Sequence, residues 1–181
     1  MATSARAVGL PGEAAMDSSS KTVRDASTET PARLRRMAET CDELPGLIAD
    51  LSSAQLARRA ADGGWSVGWV VCHLRDVEEA YFERVGFILI NERPFLSTFD
   101  PDRWAAERQY RQQDPHRALE CFLRARRATL AALRALAPSE WERGGQHSLR
   151  GFMTVRRIVH GWAKHDTEHI TQIGQVRSNW P

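Results

Sequence analysis

Residues 154–177 read TVRRIVHGWAKHDTEHITQIGQVR. Val155, Ile158, Trp162, His165, His169, Ile173 and Val176 recur in it at steps of three or four. That spacing puts them on one face of a single helix, running from about Thr154 to Arg177. The face is apolar except at its centre, where two histidines interrupt it. Residues four apart on a helix lie one above the other, with Cβ atoms roughly 6 Å apart. Two imidazoles stacked in that way can grip one metal ion.

A second segment carries the same device. Val67, Val70, Leu74, Val77, Tyr81, Val85 and Ile88 form an apolar stripe, and His73 lies within it. Ser66 is a suitable N-cap for this helix, which runs to about Ile90. If the two stripes face each other across one core, three imidazoles converge. Burying neutral imidazoles among apolar groups costs free energy unless each finds a partner. One metal ion would satisfy all three. The sequence therefore nominates His73, His165 and His169 as ligands of a divalent metal.

The rest of the chain fits an all-α bundle. Residues 1–29 are rich in Ala, Ser, Thr and Gly without apolar periodicity, and are read as a disordered leader preceding one domain over 30–181. Thr30-Pro31 looks like an N-cap with proline at the first helical position. Leu34, Met37, Ala38, Cys41 and Leu44 continue that helix, and Pro45-Gly46 is expected to kink or end it. Ser52 or Ser53 caps a short turn. Residues 91–114 form a long connection with a short helix near Arg103 to Arg108. Asp114-Pro115 restarts a helix that Pro138 closes. No strand alternation of useful length is visible. Four amphipathic helices and no sheet predict a four-helix bundle.

Bulk properties exclude several classes. The chain has 181 residues, enough for one ordinary domain, with 25 Lys and Arg against 23 Asp and Glu. A net charge of +2 gives no footprint for nucleic acid or anionic membranes. No apolar run approaches the ~18–20 residues of a membrane span, and no signal-peptide layout is present. Three cysteines without C-x-x-C spacing argue against a disulfide framework, so a reduced, cytoplasmic setting is expected.

Imidazole suits Zn, Ni, Cu and Fe(II). Three protein ligands leave at least one position open, as in catalytic rather than structural sites. Asp76, three residues after His73, is a candidate to orient that imidazole. Asp166 and Glu168 flank the histidine pair but point off its face. His116 and His160 fall off the stripes and read as surface residues. His147 precedes the last helix in a loop that could overhang the bundle mouth, and it is not nominated as a ligand. His165-x-x-Glu168-His169 also matches the H-x-x-E-H signature of inverted zinc metallopeptidases. Those need a further acid well downstream, and no Asp or Glu follows His169.

Several motifs together resemble a known family. They are Trp65-Ser66 opening a helix, His73-Leu74, Asp76, Phe99-Asp100, Trp104, Arg126, His147, Gly151, Thr154, and the run His165-Asp166-x-x-His169-x-x-Gln172-Ile173. Over residues 31–177 the chain resembles the DinB/YfiT-like superfamily of metal-dependent enzymes. The resemblance implies an up-down-down-up bundle with a long crossover between its second and third helices. It implies a divalent metal, commonly nickel, zinc or iron, on His73, His165 and His169. Homodimers are frequent in the family. Characterised relatives include transferases and isomerases that use low-molecular-weight thiols, and arginines near the mouth would then hold thiol carboxylates, with Arg126 a candidate. Family membership does not fix the substrate.

Three functions follow as expectations. The first is a metal-dependent transferase or hydrolase of a small molecule. The second is a non-catalytic metal- or small-molecule-binding stress protein. The third is a structural bundle whose histidines are hydrogen-bonded core residues.

Overall fold

The structure is a computed structural model that describes residues 26–180. The expected leader over 1–29 lies outside the described residues except at its end, because helix α1 (Ala26–Ile48) already begins at Ala26. Pro45 does not end α1. It forgoes the bond that an N–H there would make to the carbonyl four residues back, at Cys41, and buried Leu44 and Ile48 hold the last turn to the core.

Each further helix begins at a side-chain cap. Ser52 accepts from the Gln55 amide and starts the short α2 (Ser53–Ala57). Ser66 accepts from the Trp69 amide and starts α3 (Val67–Ile90). Asp100 caps α4 (Pro101–Glu107), and Asp114 caps α5 (Pro115–Ala135), each followed by proline at the first helical position. Thr154 accepts from the Arg157 amide at 3.1 Å and starts α6 (Val155–Ser178).

The long helices α1, α3, α5 and α6 form the bundle. Side-chain pairs fix their directions. Thr30 meets Arg156, Arg36 meets Thr167 and Arg177 meets Asp50, so α1 and α6 run parallel. Glu78 meets Arg126, and Gly68 packs beside Pro115, so α3 and α5 run parallel. Tyr81 stacks on Trp162 while His73 meets His169, so α3 and α6 are antiparallel. The topology is up-down-down-up. Parallel α3 and α5 require the chain to return the full bundle length, and residues 91–114 make that return.

Two apolar clusters fill the bundle. One gathers Leu44, Val70, Leu74, Phe122 and Ile173. The other gathers Met37, Val85, Leu130, Ile158 and Trp162. Between them lies a buried polar layer with one residue from each long helix: Thr40, Glu78, Arg126 and Asp166. Arg126 donates to Glu78 at 2.7 Å, to the Met37 carbonyl at 3.0 Å, and to both carboxylate oxygens of Asp166.

A small sheet departs from the expectation of helices alone. β1 (Phe95–Leu96) pairs in parallel with β2 (Gly144–His147), which pairs antiparallel with β3 (Gly151–Thr154). Gly151 adopts φ +70°, a left-handed conformation that favours glycine, and so closes the hairpin. A Cβ on Gly145 would lie 2.5 Å from the Pro94 carbonyl oxygen, so glycine there lets β1 approach β2. The sheet covers the end of the bundle where α3 finishes and α6 starts.

Candidate metal centre

The antiparallel contact of α3 with α6 brings the three nominated histidines together. His165 and His169 sit one turn apart on α6, and His73 faces them from α3. The Nε2 atoms of His73 and His165 are 3.0 Å apart, as are those of His165 and His169. One ligand atom from each of the three lies within 4.8 Å of the others, the one such cluster among the described residues. Metal–imidazole bonds of about 2.0–2.1 Å put ligand nitrogens roughly 3 Å apart, so the three nitrogens fit a single ion with small adjustments.

The rings are held ready to ligate. Burial pushes the His73 imidazole down to about 3, and the nearby His169 adds to the effect. Burial likewise pushes His165 well below its ordinary value, reinforced by His169, His73 and Arg126. Burial also lowers His169, against the Gln172 hydrogen bond. All three are therefore neutral near pH 7, the form that binds metal. His169 Nδ1 lies 2.7 Å from Gln172 Oε1. An amide oxygen can only accept, so Nδ1 carries the proton and Nε2 keeps its lone pair for the centre. The Nδ1 atoms of His73 and His165 are buried without such a partner. Trp65 packs edge-on against His73, with centroids 5.0 Å apart.

Gln172 is the orienting group that the reading of candidate ligands missed. The spacing contained the signal, since three residues after His169 is the same helical face. Asp76, nominated for that task at His73, does something else. Its oxygens accept from Tyr110 Oη at 2.6 Å and Arg75 Nε at 2.8 Å, with Arg108 at 3.0 Å. With its acceptors taken, Asp76 pins the crossover onto α3 rather than orienting His73. Arg126 is also corrected. It is fully buried in the polar layer and does not reach the mouth. The reason is its paired carboxylates, Glu78 and Asp166, which draw it inward. Asp166 points off the histidine face, as read. Glu168 stands outside the three-histidine cluster, 3.6 Å from Lys164. His116 is exposed and His160 partly so. His147 ends β2 rather than lying in a loop.

A cavity of about 840 Å³ opens beside the three histidines. Trp65, Tyr81, Phe99, Leu149 and Met153 give it apolar walls, and His147, Arg84 and Arg150 line it on the side of the small sheet. Asp62, Asp102 and Glu168 also border it. Asp102 accepts from Trp65 Nε1 at 2.9 Å, tying α4 to the start of α3. Phe99 stacks on Trp104 with centroids 4.2 Å apart, which stiffens the crossover wall. No fourth protein ligand joins the cluster among the described residues. The arrangement is an open three-imidazole site facing a pocket of small-molecule size. No helix among the described residues is long and apolar enough to cross a membrane.

The sequence profile of the DinB superfamily matches residues 36–173. Several relatives carry the name "Putative metal-dependent hydrolase". YfiT of Bacillus subtilis (strain 168) is 26% identical over 155 residues, which cover 84% of this chain and 82% of that protein. A protein of Geobacillus thermodenitrificans is 29% identical over 146 residues, covering 77% and 79%. The solved structure of Bacillus subtilis YfiT, described as a four-helix bundle of unusual topology, superposes with a TM-score of 0.78 at 23% identity. It covers 93% of this chain and 95% of that one. A mycothiol-dependent maleylpyruvate isomerase superposes at 0.65 with 12% identity, covering 80% of this chain and 60% of that one. These two likenesses concern the fold.

Proposed function

The chain belongs to the DinB superfamily, and from that premise we propose that it is a metal-dependent enzyme acting on a small molecule at His73, His165 and His169. The observation that carries the proposal is three neutral Nε2 atoms converging at the wall of a large cavity with no fourth protein ligand. A divalent ion there would supply Lewis acidity, activating water for hydrolysis or stabilising a thiolate for transfer.

The chain's own residues set the conditions. Burial keeps the imidazoles deprotonated at the ligating nitrogen. Gln172 fixes the tautomer of His169. The Trp65, Tyr81 and Phe99 walls exclude water from the substrate's apolar part. Asp76, by holding Tyr110 and Arg108, keeps the crossover in place as a wall. Hydrolysis is favoured by the names of the relatives, and a thiol-dependent transfer is the alternative chemistry for the same open site. The reading carries with it a cytoplasmic setting and a homodimer.

Elemental analysis of protein purified without a metal-affinity tag tests the centre. About one zinc, nickel or iron per chain is expected, falling at least tenfold in both His73→Ala and His165→Ala. Absence of metal from the folded wild type, even after reconstitution with all three, would remove the proposal. Ester hydrolysis and thiol conjugation assays on the loaded protein then separate the two chemistries.

A further inference from the structure

His147 is buried at the end of β2, and its ring is held in one state. Its Nδ1 accepts from two successive backbone amides of the hairpin, Leu149 at 3.1 Å and Arg150 at 3.3 Å. A nitrogen that accepts carries no proton, so the neutral ring bears its hydrogen on Nε2. Since Nδ1 is occupied by the hairpin, the edge that His147 offers to the cavity it lines is this N–H donor. Burial lowers the His147 imidazole below its ordinary value, with Arg84 and Arg150 pushing the same way, so the ring is neutral near pH 7.

Two guanidinium groups line the same part of the cavity. Arg84 lies on α3, eleven residues after His73, about 16 Å further along the helix axis at 1.5 Å per residue. It is held over the Tyr81 and Phe99 rings, at 5.3 and 5.8 Å, and donates to the Ser97 carbonyl at 2.7 Å. Arg150 comes from the hairpin. Asp62, Asp102 and Glu168 also border the cavity, but among the described residues no ion pair joins them, or any other carboxylate, to Arg84 or Arg150. Burial lowers Arg84, and the charge of Arg150 adds to it. The fold thus places two like charges and one neutral donor around a single space and leaves them without an anion.

We infer that Arg84, Arg150 and the Nε2–H of His147 form an anion subsite for the far end of the substrate, a small molecule with an apolar body and a terminal carboxylate. The apolar body would lie along Tyr81, Phe99 and Met153 between this subsite and the three histidines. Guanidinium–carboxylate pairs are strong in a partly dry site, and a neutral imidazole N–H adds direction. The inference rests on the proposed function for the identity of the reacting end, but the subsite itself does not require metal.

The test is calorimetric binding of 4-phenylbutyrate and of its uncharged amide to full-length protein, metal-free and zinc-loaded. The wild type is expected to prefer the acid at least tenfold in both forms. Arg84→Met and Arg150→Met should each cut the preference below threefold, and His147→Phe should weaken acid binding severalfold, with melting temperatures reporting folding. Arg150 is exposed, so Arg150→Met removes a subsite charge without disturbing the packed fold. Equal binding of acid and amide by the wild type overturns the subsite. So does a preference seen only with zinc and surviving all three variants, which would put the carboxylate on the metal. A preference that stands in protein unable to bind zinc would sustain the subsite while sinking the metal-dependent reading.

Discussion

Three imidazoles on apolar stripes were legible because helical spacing alone assigns a face. Val155, Ile158 and Trp162 define one stripe and Val70, Leu74 and Val77 the other, and the histidines share them. What spacing cannot give is the partner that another element supplies. Asp76 occupies the expected position after His73, yet Tyr110 and Arg108 from the crossover take its oxygens. Gln172 could have been found, since its partner lies on its own helix. Replacing Gln172 by Leu should weaken zinc affinity by about 10–100-fold, the usual effect of losing a group that orients a ligand. Competition against a chromophoric chelator would read that shift, with stoichiometry unchanged at saturation. An unaltered affinity would mean that the Gln172 bond does not orient His169.

At the scale of elements, the polar layer sets how the four helices register. Thr40, Glu78, Arg126 and Asp166 come from four different helices and meet at one level between two apolar clusters. Removing one member of such a buried network strands the others without compensation. Arg126→Met should therefore destabilise the fold by about 3–5 kcal/mol, measured as a lower urea midpoint at constant slope. Replacing Glu78 and Asp166 by Leu in the same chain should recover most of that loss. The helices were legible from their caps and stripes, each within a few residues of its observed ends. The sheet was not. β1 has two residues, and β2 begins with two glycines, chosen for close approach rather than strand propensity. Its pairing joins residues about fifty positions apart, Leu96 with His147, and no local pattern signals that.

At the scale of the whole molecule, the centre joins α3 to α6 and so should couple metal to stability. A ligand that binds only the folded state at 100 times its Kd adds about 2.7 kcal/mol. For a chain of 181 residues that corresponds to roughly 5–10 °C in Tm. Zinc should produce this rise in the wild type, a chelator should reverse it, and His165→Ala should abolish it. A Tm indifferent to zinc and chelator would return the three histidines to ordinary core residues. The parallel pairing of α1 with α6 has a consequence of another kind. The start of α1 and the end of α6 leave the bundle at opposite poles, separated by the length of a 24-residue helix, about 36 Å. Stitching them into a permuted gene would take a tether of at least about eleven extended residues along the outside. The exposed step Glu92-Arg93, where the crossover leaves α3 and before it packs against the bundle, is the place where such a chain could be cut open.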